Sequence, residues 1–432
     1  MLTEAALDET ARRTSSKSTV TVMATACGLS AANLIYAQPL LAVMGRSFAV
    51  SVNQVGLILM LGMLGYALGL ILIVPLGEKY NQRSLIVLML CAVALALALM
   101  AAAPTVALLI IGSFLVGLTS IIPELIIPFA ARLAPSNERG RVVGTVLCGL
   151  LVGTPLASIL SGFVGEHLGW RTMYWIAAAM MVALAVVLRF LLPNDRCAKS
   201  EVSYPQLLGS LWGLLRSEPV LQEISVLGFL VYGSFTVFWV TLSFILETPP
   251  YHYGSDVVGL FGLVGIAGAL AALFVGKFAD RRDARYANGV ALAVILLSFV
   301  VMWLTGQKLI GLIIGALLLD LGAQSNQAAN EARLYGLHPA AWNRLNTVYI
   351  LIFCLGGSLG SVLGAFGWSI ARWDGVYGIA CFMLLVALVF YVLHSKRIRQ
   401  WRASALCLKD LPLGPKDGDA ARCDPIPVLE NE

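Results

Sequence analysis

Two acids interrupt stretches of sequence that are otherwise apolar. Asp320 stands in Leu317-Leu318-Leu319-Asp320-Leu321, and Glu124 in Pro123-Glu124-Leu125-Ile126-Ile127-Pro128. A carboxylate at the centre of a hydrocarbon layer costs about 2.5–3.5 kcal/mol on insertion scales. With no cation beside it, such a group is cheaper to bury protonated than charged, which suits it to taking up and releasing protons. Asp320 and Glu124 are therefore the candidate proton carriers. The alternative is a permanently neutral acid that hydrogen-bonds to backbone or amides and holds helices together. Glu124 has local acceptors, because the two flanking prolines leave carbonyls without helix donors. Glu223 and Glu331 stand at the ends of their apolar stretches, where headgroup water is expected to reach them.

Polar and aromatic residues recur near these acids at helical spacing. Asp320, Gln324 and Gln327 follow an i, i+4, i+7 pattern, with Asn326 and Asn330 close by. One face of that helix is polar, and in lipid it must turn to a cavity or to a partner helix. Cavity lining is the favoured reading, a hydrogen-bonded seam the other. Asn33 and Tyr36 share a face, with Gln38 just beyond. Tyr232, Phe235 and Trp239 form an aromatic stripe that suits stacking on a flat ligand or plain packing between helices. A cavity built from these residues holds amides, aromatic rings and one or two acids, but no fixed positive charge. Anionic substrates need Arg or Lys clamps. Neutral or cationic lipophilic molecules fit better, and a sugar is compatible with the amides and tryptophan.

The elements that position these residues follow from composition. The chain has 432 residues, of which 59% are hydrophobic and 12% charged. Soluble domains carry about 45–50% and 25%, so a soluble enzyme is excluded. Stretches free of Asp, Glu, Lys and Arg cover 18–45, 47–77, 84–123, 142–165, 172–188, 224–246, 257–276, 286–307, 345–371 and 375–395. A membrane helix needs about 20 apolar residues. The stretch 84–123 is double length and breaks at Ala101-Ala102-Ala103-Pro104. With a further span at 309–330, interrupted only by Asp320, the expectation is twelve membrane helices. If the N-terminus is cytoplasmic, 25 of the 29 Lys and Arg fall on the cytoplasmic side. The other four are Arg46, Arg171, Lys308 and Arg372, and none is left for the membrane core. This asymmetry places both termini in the cytoplasm of a multi-pass inner-membrane protein. The net charge of +5 is a topology signal, not a nucleic-acid one. No cysteine falls in an outer loop, so no structural disulfide is expected.

The sequence repeats itself after about 202 residues. Glu78 and Asp280 are 202 apart, Arg132 and Arg333 are 201 apart, and Arg141 and Arg344 are 203 apart. Tyr174, Ile176 and Ala177 meet Tyr377, Ile379 and Ala380 at 203. The organisation read from this is a cytoplasmic tail over 1–18, a six-helix half over 19–192 and a linker over 193–219. A second six-helix half then covers 220–395, and a disordered cytoplasmic tail covers 396–432. The linker stretch 204–215 fits a helix lying in the interface. Halves of this kind hold substrate between them and move by rocking.

Residues 19–395 resemble the major facilitator superfamily. Gly276, Ala279, Asp280, Arg281 and Arg285 match its loop motif, and Glu78, Lys79 and Arg83 form a degenerate first copy. Gly144, Gly149, Gly153, Pro155 and Gly162 resemble the glycine–proline motif of twelve-span drug:proton antiporters and related efflux permeases. Where those antiporters carry an arginine before Gly117, this chain has Ser113, so their proton relay does not carry over by position. The resemblance implies an all-α membrane fold of two pseudo-symmetric halves. It also implies that Glu78, Lys79, Arg83, Gly276, Asp280, Arg281 and Arg285 act as cytoplasmic gating loops. His167, His252, His338 and His394 lack metal-ligand spacing, and no phosphate loop or nucleophile elbow is present. No metal, cofactor or enzymatic activity is expected. The expected function is proton-coupled export of small lipophilic molecules by a monomer in the bilayer. The alternatives are a proton-coupled importer of a sugar or other nutrient, and a transporter-like receptor or scaffold that moves nothing.

Overall fold

A chain this apolar must close its backbone hydrogen bonds within each segment, and it does so with helices. The computed structural model describes residues 17–78, 80–135, 138–193, 213, 215–279, 284–337 and 342–394. The N-terminal residues 1–16, most of the linker and the tail from residue 395 lie outside this set, so the readings made for them stand as sequence expectations.

All regular elements among the described residues are helical. They are α1 (Lys17–Ala32), α2 (Ala37–Phe48), α3 (Val52–Leu72), α4 (Gln82–Ala101), α5 (Val106–Thr119), α6 (Ile122–Leu133), α7 (Arg139–Leu168) and α8 (Trp170–Leu191). After the linker come α9 (Pro219–Glu247), α10 (Ser255–Ala279), α11 (Ala284–Thr305), α12 (Leu309–Tyr335) and α13 (Trp342–Leu393). Ten segments are long and apolar enough to cross a membrane, and the last of them, Arg344–Leu393, has 50 residues. It breaks at Ala371 and Arg372, where Arg372 has φ +49°, and is therefore two spans. Adding the 25-residue α10 gives the twelve expected. Span 1 consists of α1 and α2, and span 4 of α5 and α6. Side-chain caps set several helix starts: Ser51 with Gln54 on α3, Asn81 accepting from the Ser84 amide on α4, and Thr105 accepting from the Leu108 amide on α5.

Glycines let the helices within each half approach closely. A Cβ on Gly65 of α3 would stand 2.9 Å from the Leu118 nitrogen of α5, and one on Gly117 would stand 3.0 Å from the Tyr66 nitrogen. The second half repeats this contact 203 residues later. There Gly268 of α10 faces Leu317 and Leu321 of α12, at 3.3 Å from the Leu317 carbonyl oxygen and 3.2 Å from the Leu321 nitrogen. Gly62 and Gly65 thus correspond to Gly265 and Gly268, and Gly117 corresponds to Asp320.

Residues 17 and 394 mark one end of the bundle, here called the terminal end. The loops at 49–51, 248–254 and 371–372 mark the distal end. Helix packing between the halves runs α3 on α13, α7 on α10 and α2 on α9. Polar contacts reinforce it distally. Arg46 pairs with Glu247. Glu166 Oε2 accepts from the Ser255 amide at 2.9 Å and from its hydroxyl at 3.0 Å. The Ser361 hydroxyl donates to the Gly56 carbonyl at 2.8 Å, and the Asn53 amide to Ser369 Oγ at 3.3 Å. α2, the distal piece of span 1, packs on α9 and α10, whereas α1, the terminal piece, packs on α6, α7 and α8 of its own half. The structure is therefore clamped at the distal end. Because backbone faces Gly117, Gly117→Val is expected to destabilise the protein by about 1–3 kcal/mol through overpacking. Thermal unfolding in detergent checks this, with Gly140→Ala as the control, since a Cβ there meets nothing within 4 Å.

Candidate functional site

Asp320 lies in the body of α12, 3% exposed, with Oδ2 lacking any hydrogen-bond partner. It occupies the place taken in the first half by Gly117, and the room for its carboxyl comes from Gly265 and Gly268 on α10. The Cβ position of Gly265 is 3.7 Å from Asp320 Oδ1 and 4.0 Å from Trp239 Cζ2 of α9. Among the described residues Asp320 forms no ion pair. It is an acid enclosed within the second half, behind Trp239.

Glu124 occupies a different setting. It is half-buried on α6, one turn past the break at Ser120-Ile121, and Tyr66 of α3 donates to its Oε1 at 3.2 Å. Across the halves it is within electrostatic reach of Glu331 on α12 and of Cys354 on α13. Glu331 is half-buried, and the Gln327 amide donates to its Oε1 at 3.0 Å. Among the described residues neither carboxylate forms an ion pair with Arg or Lys. The aromatic wall beside them is continuous. Tyr232 stacks on Phe353 with ring centres 3.8 Å apart, then follows Phe235 at 6.0 Å, and Trp239 lies 5.9 Å beyond Phe235. Tyr232 also reaches Met63 of the first half. The stripe read from the sequence therefore forms one surface running from the space between the halves to Asp320.

Other candidates fall elsewhere. Asn33, 3% exposed, turns into the interior of the first half, where it donates to Met181 Sδ at 3.4 Å, so it does not line the space between the halves as expected. Tyr36, 1% exposed, lies in the same interruption of span 1, and Ser161 donates to its backbone carbonyl at 2.6 Å. Asn33 borders a cavity, with Ser113 and Tyr174, that has room for about one water molecule. Its Oδ1 and the Tyr174 hydroxyl lack partners there. Gln38 and Gln324 are half-buried. The polar side of α12 divides: Gln327 holds Glu331, while Asn326 and Asn330 join a buried seam in which Asn288 of α11 donates to Asn330 Oδ1 at 2.9 Å.

The expectation that headgroup water reaches Glu223 is corrected, as is the absence of basic residues from the bundle interior. Glu223 is fully buried and pairs with both Arg285 and Arg333. Arg285 also donates to the Tyr391 carbonyl at 2.7 Å, so it ties α9, α11 and α13 together. Two bases converge on one acid because a lone charge at this depth is costly. Sequence distance hid the triad, since its members stand 62 and 110 residues apart. Among the other loop residues, Arg83 donates to the Leu192 carbonyl at 3.1 Å, Glu78 ends the short 3-10 turn Val74–Glu78, and Gly276 lies in α10. Lys79, Asp280 and Arg281 lie outside the described residues. Glu223→Gln removes the carboxylate charge shared by Arg285 and the buried Arg333 and is expected to cost about 3–5 kcal/mol. Glu124→Gln, which keeps a hydrogen-bond acceptor and strands no cation, is expected to cost less than half as much. Paired thermal denaturation of the two variants checks the ordering.

Residues 21–330 match the profile of the Major Facilitator Superfamily. Over 372 residues the chain is 37% identical to YgaY, a protein of Escherichia coli (strain K12) named as a transporter, covering 86% of this chain and 94% of that one. It is 31% identical over 360 residues to the Streptomyces coelicolor protein SCO4007, also named as a transporter, covering 83% of each. Among solved structures it is similar in fold to a bacterial homologue of the human lysosomal transporter Spinster, in an inward-facing and occupied conformation. That likeness has a TM-score of 0.73 at 14% identity and covers 87% of this chain and 96% of the other. The profile match, the two relatives and the twelve-span bundle agree: the chain belongs to the major facilitator superfamily and is a membrane transporter of that kind rather than an enzyme.

Proposed function

We propose that the protein exports small lipophilic neutral or cationic molecules across the inner membrane in exchange for protons. It works as a monomer by alternating access, with halves at 19–192 and 220–395. The observation that carries this reading is Asp320, a carboxyl group with an unpartnered oxygen and no ion pair among the described residues, enclosed beside the aromatic stripe. A group in that setting is stable in the bundle when protonated and needs a route to water to release its proton. Glu124 and Glu331 add negative charge to the space between the halves with no ion pair to Arg or Lys among the described residues, which supports cationic substrates. The lysine and arginine asymmetry makes the terminal end cytoplasmic. On that assignment the distal clamp closes the outer face. Substrate then enters from the cytoplasm against Glu124 and the Tyr232–Phe353 stack. Protons arriving from outside at Asp320 or Glu124 complete the exchange, and the loop residues around Glu78 and Asp280 latch the cytoplasmic side in the other state.

The test uses inverted vesicles with an acidified lumen and a pH-sensitive dye. Lipophilic cations, neutral drugs and sugars are added to the exposed cytoplasmic face. At least one lipophilic compound is expected to discharge the gradient, and Asp320→Asn is expected to reduce that discharge by at least about tenfold, the equivalent of about 1.4 kcal/mol. Full activity in Asp320→Asn overturns the role of Asp320. Discharge by sugars alone overturns the substrate class.

A further inference from the structure

We infer that Trp239 is the positioning residue that links the protonation of Asp320 to the shape of the substrate cavity. The inference rests on the proposed proton exchange and adds the part of the molecule that transmits it. Two residues of the second half that meet across one gap each carry a buried polar atom without a partner. Asp320 is 3% exposed with Oδ2 unpaired, and Trp239 is 8% exposed with its indole Nε1 unpaired. An indole N–H can only donate, and an ionised carboxylate can only accept. The two are chemical complements separated by the missing side chain of Gly265, whose Cβ position is 3.7 Å from Asp320 Oδ1 and 4.0 Å from Trp239 Cζ2. Unpaired buried donors and acceptors are costly, so their presence together marks a contact made in another state of the site.

Deprotonation supplies the reason to make that contact. With its proton on, Asp320 is neutral and attracts the indole weakly. Once the proton leaves, the carboxylate has no Arg or Lys in ion-pair contact among the described residues. The Trp239 ring borders the same gap through Cζ2 and carries an unpaired N–H, and a hydrogen bond to a charged acceptor is roughly twice as strong as a neutral one. Trp239 then turns toward Asp320. Trp239 is also the end of the aromatic run through Phe235 and Tyr232 to Phe353. Close-packed rings do not move singly, so the indole's motion shifts the stacked wall against which substrate is held. Proton occupancy at Asp320 and substrate fit between the halves are in this way two readings of one side chain.

Indole emission reports this motion directly. The full chain is reconstituted in liposomes, and tryptophan emission is followed through an acid-to-alkaline titration with no substrate present. Wild type is expected to show a single one-proton transition. Asp320→Asn is expected to flatten it, and so is Trp239→Phe, which keeps a ring in the stripe and removes the donor, although eight of the nine tryptophans remain. Gly265→Ala gives a second handle should Trp239→Phe fail to fold. Its added carbon is at ordinary contact distance from both residues, so packing survives while the gap is filled, and the transition is expected to fall by at least about half. A transition that persists unchanged in Trp239→Phe or Gly265→Ala overturns the inference. So does its absence from wild type. In either case the exporter reading stands as long as Asp320→Asn still abolishes discharge in the vesicle assay. A transition that survives in Asp320→Asn removes the inference together with the role of Asp320.

Discussion

A bilayer offers a buried charge no solvent, and the arrangement of this protein follows from that constraint. Backbone groups meet it by closing into helices. Side chains meet it in three ways. Most basic residues leave the bundle for one end. Glu223, which stays, is neutralised by Arg285 and Arg333 drawn from two other helices. Asp320, Glu124 and Glu331 stay with no ion pair among the described residues. The contrast between Glu223 and these three is informative, because the same fold demonstrates how it neutralises an acid that serves structure. Acids left without such pairing beside a wall of aromatic rings are the ones that the proposed exchange assigns to protons and to substrate.

The two halves are built alike and differ where the chemistry is. In the first half Gly62 and Gly117 allow helix backbones to touch, with no ionisable side chain at that contact. Its counterpart holds Asp320 opposite Gly265, so a position that serves packing on one side serves ionisation on the other. The Asp320 side chain fits because α10 keeps a glycine at 268, where a Cβ would collide with it, while Gly265 leaves space beside the carboxyl. On the proposed function, the proton site occupies a seam that the other half uses for packing, with no new cavity opened for it. The seam enclosing it lies within one half and not between the two, so rocking of the halves leaves its packing intact while changing its access to water.

Much of this was legible in the sequence because the relevant signals are local. Charge-free stretches gave twelve spans, and the offset near 202 gave the two-fold repeat that Gly65 and Gly268 display in three dimensions. Asp320 stood out because a charge inside an apolar run needs no partner to be noticed. The aromatic stripe also followed from spacing alone. Asn33 was placed wrongly because helical spacing assumes a continuous helix, and span 1 breaks there. The pairing of Glu223 with Arg285 and Arg333 was hidden for another reason. Its residues sit near span ends, where sequence alone cannot separate a side chain reaching for headgroup water from one turned inward. The link between Glu124 and Glu331 joins opposite halves and has no sequence signature at all.

On the proposed exchange of protons for substrate, the separation of the acids bears on how leakage is avoided. If one carboxylate held both proton and substrate, competition alone would enforce exchange, and the only requirement would be that they never bind together. Here Glu124 faces the space between the halves, whereas Asp320 is enclosed in one of them. Two acids in different surroundings allow a proton to be held while substrate is absent. Exchange then depends on something that makes each occupancy alter the other, since independent sites would let protons run down their gradient alone. Coupling of this kind needs an element whose position both ligands bias. The run of rings from Trp239 to Phe353 is placed to be that element, because one end lies beside the enclosed acid and the other stands against the opposite half. Its packing, more than the charge of any one acid, would then determine how tightly transport and proton flow are tied.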